Sequence, residues 1–289
     1  MTTLLHISDM HFGTEQAPVV AALEALALAK KPDVLIVSGD ITQRATPAQF
    51  AQAKAFCDRL QAAHMLAVPG NHDIPLLNLL ARLVNPYGAY CNAFGDEIER
   101  HVQTPLLHIT TVNTTRRWRH KNGDVSKAQI DRVCQHLSKA TAQQLRVVVV
   151  HQPVHVLRLE DEHDRLRGWQ PAVREWAQAG ADIVMGGHIH LPYVCELSTS
   201  VPGLARRMWC VQAGTAVSSR IRREAPNSVN VINFSAANTV NTPRCSIERW
   251  DYQRAQGNSP SQSPGEPRTN AQEGQFVLTH TSELNLQRD

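Results

Sequence analysis

Six short apolar runs rich in β-branched residues constrain this fold more than any other feature of the chain. They are "TTLLHIS", "DVLIVS", "MLAV", "LLHITTV", "LRVVVV" and "ADIVMG", all within about the first 190 residues. Several are nearly continuous rather than alternating, which is typical of strands buried on both faces of a sheet. The runs therefore predict a sheet whose two faces are both covered by other parts of the chain.

Helical patterns lie between these runs. Residues 17–30 are rich in Ala and Leu. Thr46 and Gln49 have capping-box spacing, and Pro47 stands at the first helical position, which predicts a helix to about His64.

Two more helices are expected before residue 190. Ser126 and Gln129 repeat the capping spacing, and we expect their helix to end at about Lys139. A further helix is expected from Pro171 to Ala179, ended by a glycine. Strands and helices thus alternate through the first part of the chain, which is typical of an α/β arrangement.

After residue 190 the pattern changes to strands with few helices. The runs are "PYVCEL", "RMWCVQA", "SVNVINF" and "RCSIERW". An α/β part followed by a β-rich part predicts two sheets packed face to face with flanking helices. Residues 255–274 are dominated by Gln, Ser, Pro, Gly, Asn and Glu, so we expect one domain over 1–252 and a disordered tail over 253–289.

Composition narrows the class of protein. The formal charge of +3 on 289 residues is far below the basic excess of a dedicated nucleic-acid binder. Six scattered cysteines without a CxxC pair predict reduced core thiols and a reducing compartment. The N-terminus lacks the pattern of a signal peptide, and no run approaches the roughly 20 apolar residues of a membrane span. We therefore expect a soluble, cytoplasmic protein without a membrane partner.

Five of the first strands end on residue types that bind metal ions. These residues are Asp9 and His11, Asp40, Asn71 with His72 and Asp73, His151, and His188 and His190. In open α/β sheets the loops beyond the carboxyl ends of the strands meet at one crevice. Each residue alone reads as a turn or helix cap, but caps would not place histidine at four of five strand ends. The pattern predicts one site assembled from five loops.

The ordered motifs D-x-H, G-D, G-N-H-D, H and G-H-x-H resemble those of the calcineurin-like metallophosphoesterase superfamily over about residues 3–190. The segments "LLHISDMHFG", "VSGDIT", "VPGNHD" and "GTAVSSRIRREAPNSVNVI" are most similar to the bacterial class III 3′,5′-cyclic-nucleotide phosphodiesterase-like branch. The resemblance implies an α/β fold, a four-layer α/β/β/α sandwich of two mixed sheets flanked by helices.

The resemblance also implies two divalent metal ions per chain, with Asp40 bridging them. One ion would be held by Asp9, His11 and His190, and the other by Asn71, His151 and His188. Carboxylate and imidazole ligands suit Mn, Fe, Co or Zn better than Mg or Ca. With two carboxylates and a bridging hydroxide, such a centre carries a charge of about +1, which matches a phosphodiester. The hydroxide is the expected nucleophile.

His72 follows Asn71 but is not an implied ligand. By analogy with the family, His72 stabilises the phosphoryl charge or protonates the leaving-group oxygen. Asp73 either favours the charged form of His72 and orients it, or stabilises the turn. Both interpretations of Asp73 stay open at this point.

Three charged segments stand out, of which "RRWRHK" and "SRIRRE" (residues 219–224) have the same two interpretations each. In "RRWRHK" (residues 116–121), Arg116 or Arg117 meets a phosphoryl oxygen and Trp118 stacks on a base, or the segment is a solvated loop. "LEDEHDRLR" (residues 159–167) is expected to be a charged, mobile loop that can cover the site.

The expected activity is hydrolysis of a small anionic phosphodiester, foremost a 3′,5′-cyclic nucleotide. The alternatives are a nuclease, a phosphomonoesterase acting on nucleotides, and a non-catalytic scaffold. The scaffold is disfavoured because every ligand type is present. A nucleotide-sugar lipid pyrophosphatase is disfavoured because no long apolar lid segment is evident. The native metals and the oligomeric state stay open, with a homodimer among the alternatives.

Overall fold

Two six-stranded sheets form the centre of the computed structural model, which describes residues 1–119, 121–237, 242–255 and 274–288. The strands are β1 (Thr2–Ile7), β2 (Val34–Val37), β3 (His64–Ala67), β4 (His101–Gln103), β5 (Leu107–Thr111), β6 (Leu145–Val149), β7 (Ile183–Gly186), β8 (Tyr193–Glu196), β9 (Trp209–Gln212), β10 (Ser228–Ser235), β11 (Arg244–Gln253) and β12 (Gln275–Leu284). The α-helices are α1 (Ala17–Lys30), α2 (Pro47–Arg59), α3 (Leu79–Val84), α4 (Gly88–Phe94), α5 (Lys127–Leu137) and α6 (Trp169–Gln178).

Both sheets are mixed. The first has the order β12-β11-β10-β1-β2-β3, with β1, β2 and β3 parallel to one another and β10 to β12 antiparallel. The second has the order β4-β5-β6-β7-β9-β8, with parallel strands in the middle and antiparallel strands at both edges. The carboxyl ends of the parallel strands in each sheet therefore lie at one edge, where ligand-bearing loops can meet.

Three apolar clusters define the layers. The inner cluster lies between the sheets and includes Leu4, Ile36, Val147 and Ile183. A second cluster joins α1, α2 and α4 to the outer face of the first sheet. The third joins α5 and α6, with the fully buried Trp176, to the outer face of the second sheet. The predicted α/β/β/α sandwich is confirmed.

Local start signals hold where the sequence predicts them. Thr46 Oγ1 accepts a hydrogen bond from the backbone N–H of Gln49 at 3.3 Å at the start of α2. Helix α2 ends at Arg59, short of the predicted His64. The chain reverses there because Gln61 adopts a left-handed φ of 57°, and β3 begins at His64.

The C-terminal strand corrects the predicted disordered tail. Residues 275–284 form β12, which pairs with β11 from Gln253 opposite Gln275 to Cys245 opposite Leu284. Backbone hydrogen bonding along β11 and burial of Phe276 and Leu284 stabilise this edge strand. The predicted boundary at residue 252 is also wrong, since β11 runs to Gln253. The disorder expected for residues 256–273 falls outside the described part of the chain.

All six cysteines are free thiols, as predicted. Burial raises the pKa of Cys57 to about 12, so this thiol is protonated and unreactive at neutral pH. No helix within the described residues has the length and apolar character needed to cross a membrane.

Candidate metal centre

The seven predicted ligands come together where the carboxyl ends of the two sheets meet. The first sheet contributes Asp9, His11, Asp40 and Asn71, from the loops after β1, β2 and β3. The second contributes His151, His188 and His190, from the loops after β6 and β7. Six of the seven side chains are buried, and His190 is half-buried.

Two overlapping groups of ligand atoms can be distinguished. Asp9, His11, Asp40 and His190 each offer one ligand atom within 4.8 Å of the others. Asp40 forms a second such group with His151 and His188. Asp40 is therefore common to both groups, which is the arrangement that a bridging carboxylate requires.

The backbone at the site is unusual. Eight non-glycine residues in the described ranges have a left-handed φ, and five of them belong to the candidate centre. These five are Asp9 (52°), His11 (44°), Asp40 (47°), His188 (74°) and His190 (57°). Such conformations cost of order 1–3 kcal/mol each and persist only where the surrounding structure imposes them. The packing of the two sheets thus maintains a backbone that turns these side chains towards one another.

Two glycines let the loops approach closely. Gly39 has a φ of 100°, and a Cβ at this position would overlap the ring of His151. A Cβ on Gly187 would overlap Ser8 Oγ and the carboxylate of Asp9. Because Gly39 and Ser8 belong to the first sheet and His151 and Gly187 to the second, these glycines allow the two sheet ends to meet.

Hydrogen bonds select the tautomer of two histidines. His151 Nδ1 lies 2.8 Å from the carbonyl oxygen of Ser38. His190 Nδ1 lies against the carbonyl oxygen of Arg220 and 2.9 Å from Thr215 Oγ1. Because a carbonyl oxygen only accepts, Nδ1 carries the hydrogen in each ring. In the neutral form, Nε2 then presents its lone pair to the centre of the site.

The lone pairs face other acceptors. His190 Nε2 lies 3.2 Å from His11 Nε2, and His151 Nε2 lies 3.3 Å from Asn71 Oδ1. Neither ring nitrogen of the buried His188 has a hydrogen-bond partner within the described residues. Acceptors that converge in this way repel one another unless a cation or a proton lies between them. The donor set therefore fits divalent metal ions.

The charge states also suit metal binding. Burial alone would raise the pKa of Asp9, but the charge of His190 outweighs it and lowers that pKa to about 2. Asp40 likewise has a pKa well below its ordinary value despite burial, because His151 lies beside it. Burial lowers the pKa of His11 to about 3. At neutral pH the centre thus contains two carboxylates and a neutral imidazole from the first sheet.

His151 behaves in the opposite way. Burial disfavours its charged form, but the charge of Asp40, 3.4 Å from its Nε2, outweighs burial and raises the pKa of His151 to about 9. A proton at Nε2 relieves the repulsion with Asn71. A metal ion would have to displace this proton.

His72 lies at the edge of the centre. Its backbone N–H donates to Asp40 Oδ1 at 2.8 Å, and its Nδ1 lies 3.2 Å from the carbonyl oxygen of Gln43. Its Nε2 lies 3.3 Å from Arg220 Nη1. The carbonyl of Gln43 thus orients the ring, which packs edge-on against His11 with ring centroids 4.9 Å apart.

Asp73 has a position that fits the turn-stabilising interpretation. Its two carboxylate oxygens accept from the backbone N–H groups of Gly70, Ile41 and Thr42 and from Thr42 Oγ1, at 2.8–3.0 Å. Four such bonds tie the loop after β3 to the loop after β2. These bonds commit both carboxylate oxygens to the loops, which supports the turn-stabilising interpretation, and the carbonyl oxygen of Gln43 lies 3.2 Å from His72 Nδ1.

The structure does not bring Arg116, Arg117 and Trp118 to the ligand cluster. They line a separate cavity of about 500 Å³ that includes none of the seven ligands. The guanidinium of Arg116 donates to the carbonyl oxygens of Asn113 and Thr115 and to Gln129 Oε1, and that of Arg117 to a backbone carbonyl. These hydrogen bonds hold the loop itself, which fits the solvated-loop interpretation, and the role as substrate contacts stays a prediction.

Three charged residues reach the site from the charged segments noted in the sequence, although none of them was predicted individually. Arg220 reaches His72, as described above. Asp164 Oδ1 lies 3.6 Å from His188 Nε2 and 2.6 Å from Lys121 Nζ. Lys121 is the last residue of the "RRWRHK" segment, which thus contributes a positive charge beside Asp164. The sequence showed that positive charge is clustered in that segment. It did not show which of the charged side chains points towards the site.

The segment "LEDEHDRLR" is held in place at the edge of the site. Residues Leu159–Asp164 form a 3₁₀ helix. Arg222 Nη1 donates to Asp161 Oδ1 at 2.9 Å and to the carbonyl oxygen of Ile189 at 3.3 Å. Ile189 lies between two of the predicted ligands. The segment is thus tied to the loop after β7.

Comparison with known proteins identifies the family and the fold. The model of the calcineurin-like phosphoesterase family matches residues 2–192. The fold is similar to that of a dimetal phosphatase from Danio rerio, with a TM-score of 0.60 and 14% identity over 86% of this chain and 95% of that one. It is also similar to a purple acid phosphatase from yellow lupin (Lupinus luteus) seeds, with a TM-score of 0.61 and 10% identity over 97% of this chain and 53% of that one.

A sequence relative matches over a shorter stretch. The glycerophosphodiester phosphodiesterase GpdQ of Enterobacter lignolyticus (strain SCF1) is 34% identical over 83 residues, which are 24% of this chain and 29% of that protein. The two solved structures resemble this chain in fold alone. The family match covers most of the chain and includes every predicted ligand. The chain belongs to the calcineurin-like phosphoesterase family.

Proposed function

We propose that this protein is a metal-dependent phosphodiesterase, and that 3′,5′-cyclic nucleotides are its substrates. The observation that carries the proposal is the position of Asp40, which belongs to two groups of ligand atoms in a chain of the phosphoesterase family. A carboxylate shared in this way supports a centre of two ions rather than one.

The proposed ligand sets follow from the two groups. Asp9, His11 and His190 would hold one ion, Asn71, His151 and His188 would hold the other, and Asp40 would be shared by both. Nitrogen and oxygen donors without thiolate favour Mn, Fe or Zn. Two such ions, when bound, supply Lewis acidity and a water activated for in-line attack on phosphorus.

His72 and Arg220 are the residues that we propose to act on the substrate. The Arg220 guanidinium donates to Gln43 Oε1 at 2.9 Å and reaches His72 Nε2 at 3.3 Å. A phosphoryl oxygen placed here would accept a charge-assisted hydrogen bond from Arg220. His72 Nε2 would then hold or deliver the proton that the leaving-group oxygen requires.

With Arg220 included, the net charge of the site does not by itself favour a phosphodiester over a phosphomonoester. The count of about +1 for two ions, two carboxylates and a hydroxide leaves out Arg220, which adds a positive charge beside the centre. The preference for a diester therefore rests on the resemblance of the segments quoted above and on the partial match to GpdQ. Arg220 lies within the segment "GTAVSSRIRREAPNSVNVI", which supports a role of that segment at the site.

A second candidate substrate is a glycerophosphodiester. The partial match to GpdQ, whose name gives this activity, favours it. It requires the same ligands and the same proton transfer at His72, so only the leaving group distinguishes it.

The six free thiols support a reducing compartment such as the cytoplasm.

The test is a substrate panel with enzyme reconstituted separately with Mn, Fe and Zn. The panel contains 3′,5′-cAMP, 3′,5′-cGMP, glycerophosphocholine, a bis-aryl phosphodiester, an aryl monophosphate and single-stranded DNA. We expect kcat/KM for the cyclic nucleotides to exceed that for the monophosphate. Cleavage of glycerophosphocholine alone would favour the second candidate. Rapid monoester or DNA cleavage without any diester activity would contradict both proposals.

A further inference from the structure

An exposed apolar surface lies beside the candidate metal centre. Thirteen large apolar side chains are exposed in the described parts of the chain, and seven of them cluster here. We call this cluster the leucine face; it consists of Leu76, Leu77, Leu79, Leu80, Leu83, Val84 and Trp118. All but Leu76 are 68–81% exposed. Leu76 also lines a small cavity with Asn71 and His72, so the face continues to the edge of the site.

Helix α3 presents its apolar side outwards. Leu79 and Leu83, like Leu80 and Val84, are four residues apart and share one helix face, and no residue of α3 is buried. Its polar residue points the other way, since Arg82 donates to the carbonyl oxygens of Pro75 at 3.2 Å and Arg119 at 2.9 Å. A surface helix normally buries its apolar stripe. Here hydrogen bonds hold the helix with that stripe in solvent.

Trp118 extends the same surface. Arg117 Nη1 donates to the carbonyl oxygen of Leu83 at 2.6 Å, and its guanidinium lies 5.8 Å from the centroid of the Trp118 ring. The loop that carries Trp118 is therefore anchored to the end of α3. Arg117 thus links the exposed ring of Trp118 to the exposed leucines of α3.

The surroundings of the leucine face are basic. Arg82 is the only charged residue from Ile74 to Phe94, and residues 116–119 contain three positive charges and no negative one, whereas Lys121 is paired with Asp164. Arg44 and Arg117 are exposed, and Arg44 lines the same groove as Leu76 and Leu77. A second copy of the chain docked face to face would oppose these positive charges with identical ones. An anionic surface would neutralise them.

We propose that the leucine face docks on a membrane surface that contains anionic phospholipids. Leucine side chains enter the boundary between headgroups and acyl chains, Trp118 lies at the level of the headgroups, and the arginines meet lipid phosphates. This inference does not depend on the proposed activity, and it is an alternative to the expectation from sequence that the protein has no membrane partner.

The test is co-sedimentation of the full chain with vesicles of phosphatidylcholine alone or mixed with phosphatidylglycerol. The wild-type protein should bind the mixed vesicles, with binding weakened by added salt. We expect Leu80→Asp and Leu83→Asp each to lower the partition coefficient roughly tenfold or more. Each variant replaces an apolar side chain that enters the lipid boundary with a negative charge that anionic lipid repels. Arg44→Ala should lower it about fivefold.

The matched control is Leu28→Asp. Leu28 is 67% exposed on α1, outside the leucine face, so this variant should bind vesicles like the wild type. Far-UV circular dichroism of each variant establishes that it is folded. Wild-type protein that stays in the supernatant with mixed vesicles, or equal loss in Leu28→Asp, overturns the proposal. A dimer seen by analytical ultracentrifugation and abolished by Leu80→Asp, without vesicle binding, assigns the face to a second copy instead.

Discussion

The two sheets contribute different chemistry to the candidate centre. The first sheet supplies both carboxylates, Asp9 and Asp40, whereas the second supplies imidazoles alone. The carboxylates also organise the backbone around them, because Asp9 Oδ2 accepts from the N–H of His188 at 3.0 Å and Asp40 Oδ1 from that of His72 at 2.8 Å. Loss of a first-sheet carboxylate should therefore disturb more of the site than loss of a second-sheet imidazole.

Asp40→Ala should have the largest effect on metal binding and turnover. A small effect would contradict the difference between the two sheets. Asp40 belongs to both groups of ligand atoms, so its loss removes a negative charge and a donor from each proposed ion position. We expect no detectable turnover and loss of metal at both positions, measured by elemental analysis after dialysis.

Asp9→Ala is the matched variant from the same sheet. Asp9 belongs to one group only, so metal should be lost mainly from one position. Two bound ions per chain in Asp40→Ala would rule out the bridging role. Equal metal loss in both variants would show that Asp40 has no special position.

His72→Ala should lower kcat while the metal content stays the same. The ring lies beside the ligands but its Nδ1 is committed to Gln43, so we expect a decrease on the order of 10²–10⁴ if it transfers a proton. The decrease should shrink for a nitrophenolate leaving group, which needs no proton. An equal decrease on good and poor leaving groups would favour charge stabilisation instead.

Metal binding should release protons from the second sheet. The pKa of His151 is raised to about 9, whereas that of His11 is lowered to about 3. Below about pH 9 a metal ion must displace the proton on His151, but His11 is already neutral. Affinity should thus rise as pH increases from 6 to 8, by about tenfold per unit for each displaced proton.

Proton release can be measured by calorimetric titration with Zn²⁺ in buffers of different ionisation enthalpy. The matched variant His151→Gln keeps a neutral donor but has no proton to lose, so it should release fewer protons. Affinity that does not change between pH 6 and 8 would contradict the charge assignment of the two sheets.

The smallest effect concerns stability at the far edge of the second sheet. His108 on β5 is fully buried beside His101, with ring centroids 4.4 Å apart, and burial lowers its pKa to about 4. The unfolded chain takes up this proton near the ordinary value of 6.5, so the folded state loses stability as pH falls from about 6.5 towards 4. His108→Leu should remove this loss and add about 1 kcal/mol at pH 7.

Urea unfolding at pH 7.5 and 5 measures this effect. His64→Leu is the control, because His64 is an exposed histidine on the first sheet. It should leave the pH dependence of the free energy of unfolding unchanged. A wild-type pH dependence that persists in His108→Leu would mean that other groups are responsible.

Most strands were predictable because their signal is local. Nearly continuous β-branched runs marked β1, β2, β6 and β7, and a polar residue after each run marked the site. Helix α3 escaped prediction because its leucines face solvent, which reverses the usual relation between hydrophobicity and burial. Strand β12 escaped because its polar sequence gains stability from pairing with β11. Each of these elements depends on partners distant along the chain.

The sequence by itself determined the ligand types, their order and the loops that carry them, because strand ends and helix caps follow from short-range burial patterns and backbone geometry. Tertiary structure decided which neighbours these residues meet. Asp73 adjoins His72 in sequence yet serves the turn, whereas Arg220 reaches His72 from 148 residues away. Such contacts are set by how the two sheets pack against each other. No local pattern in the chain encodes which residues distant in sequence come into contact.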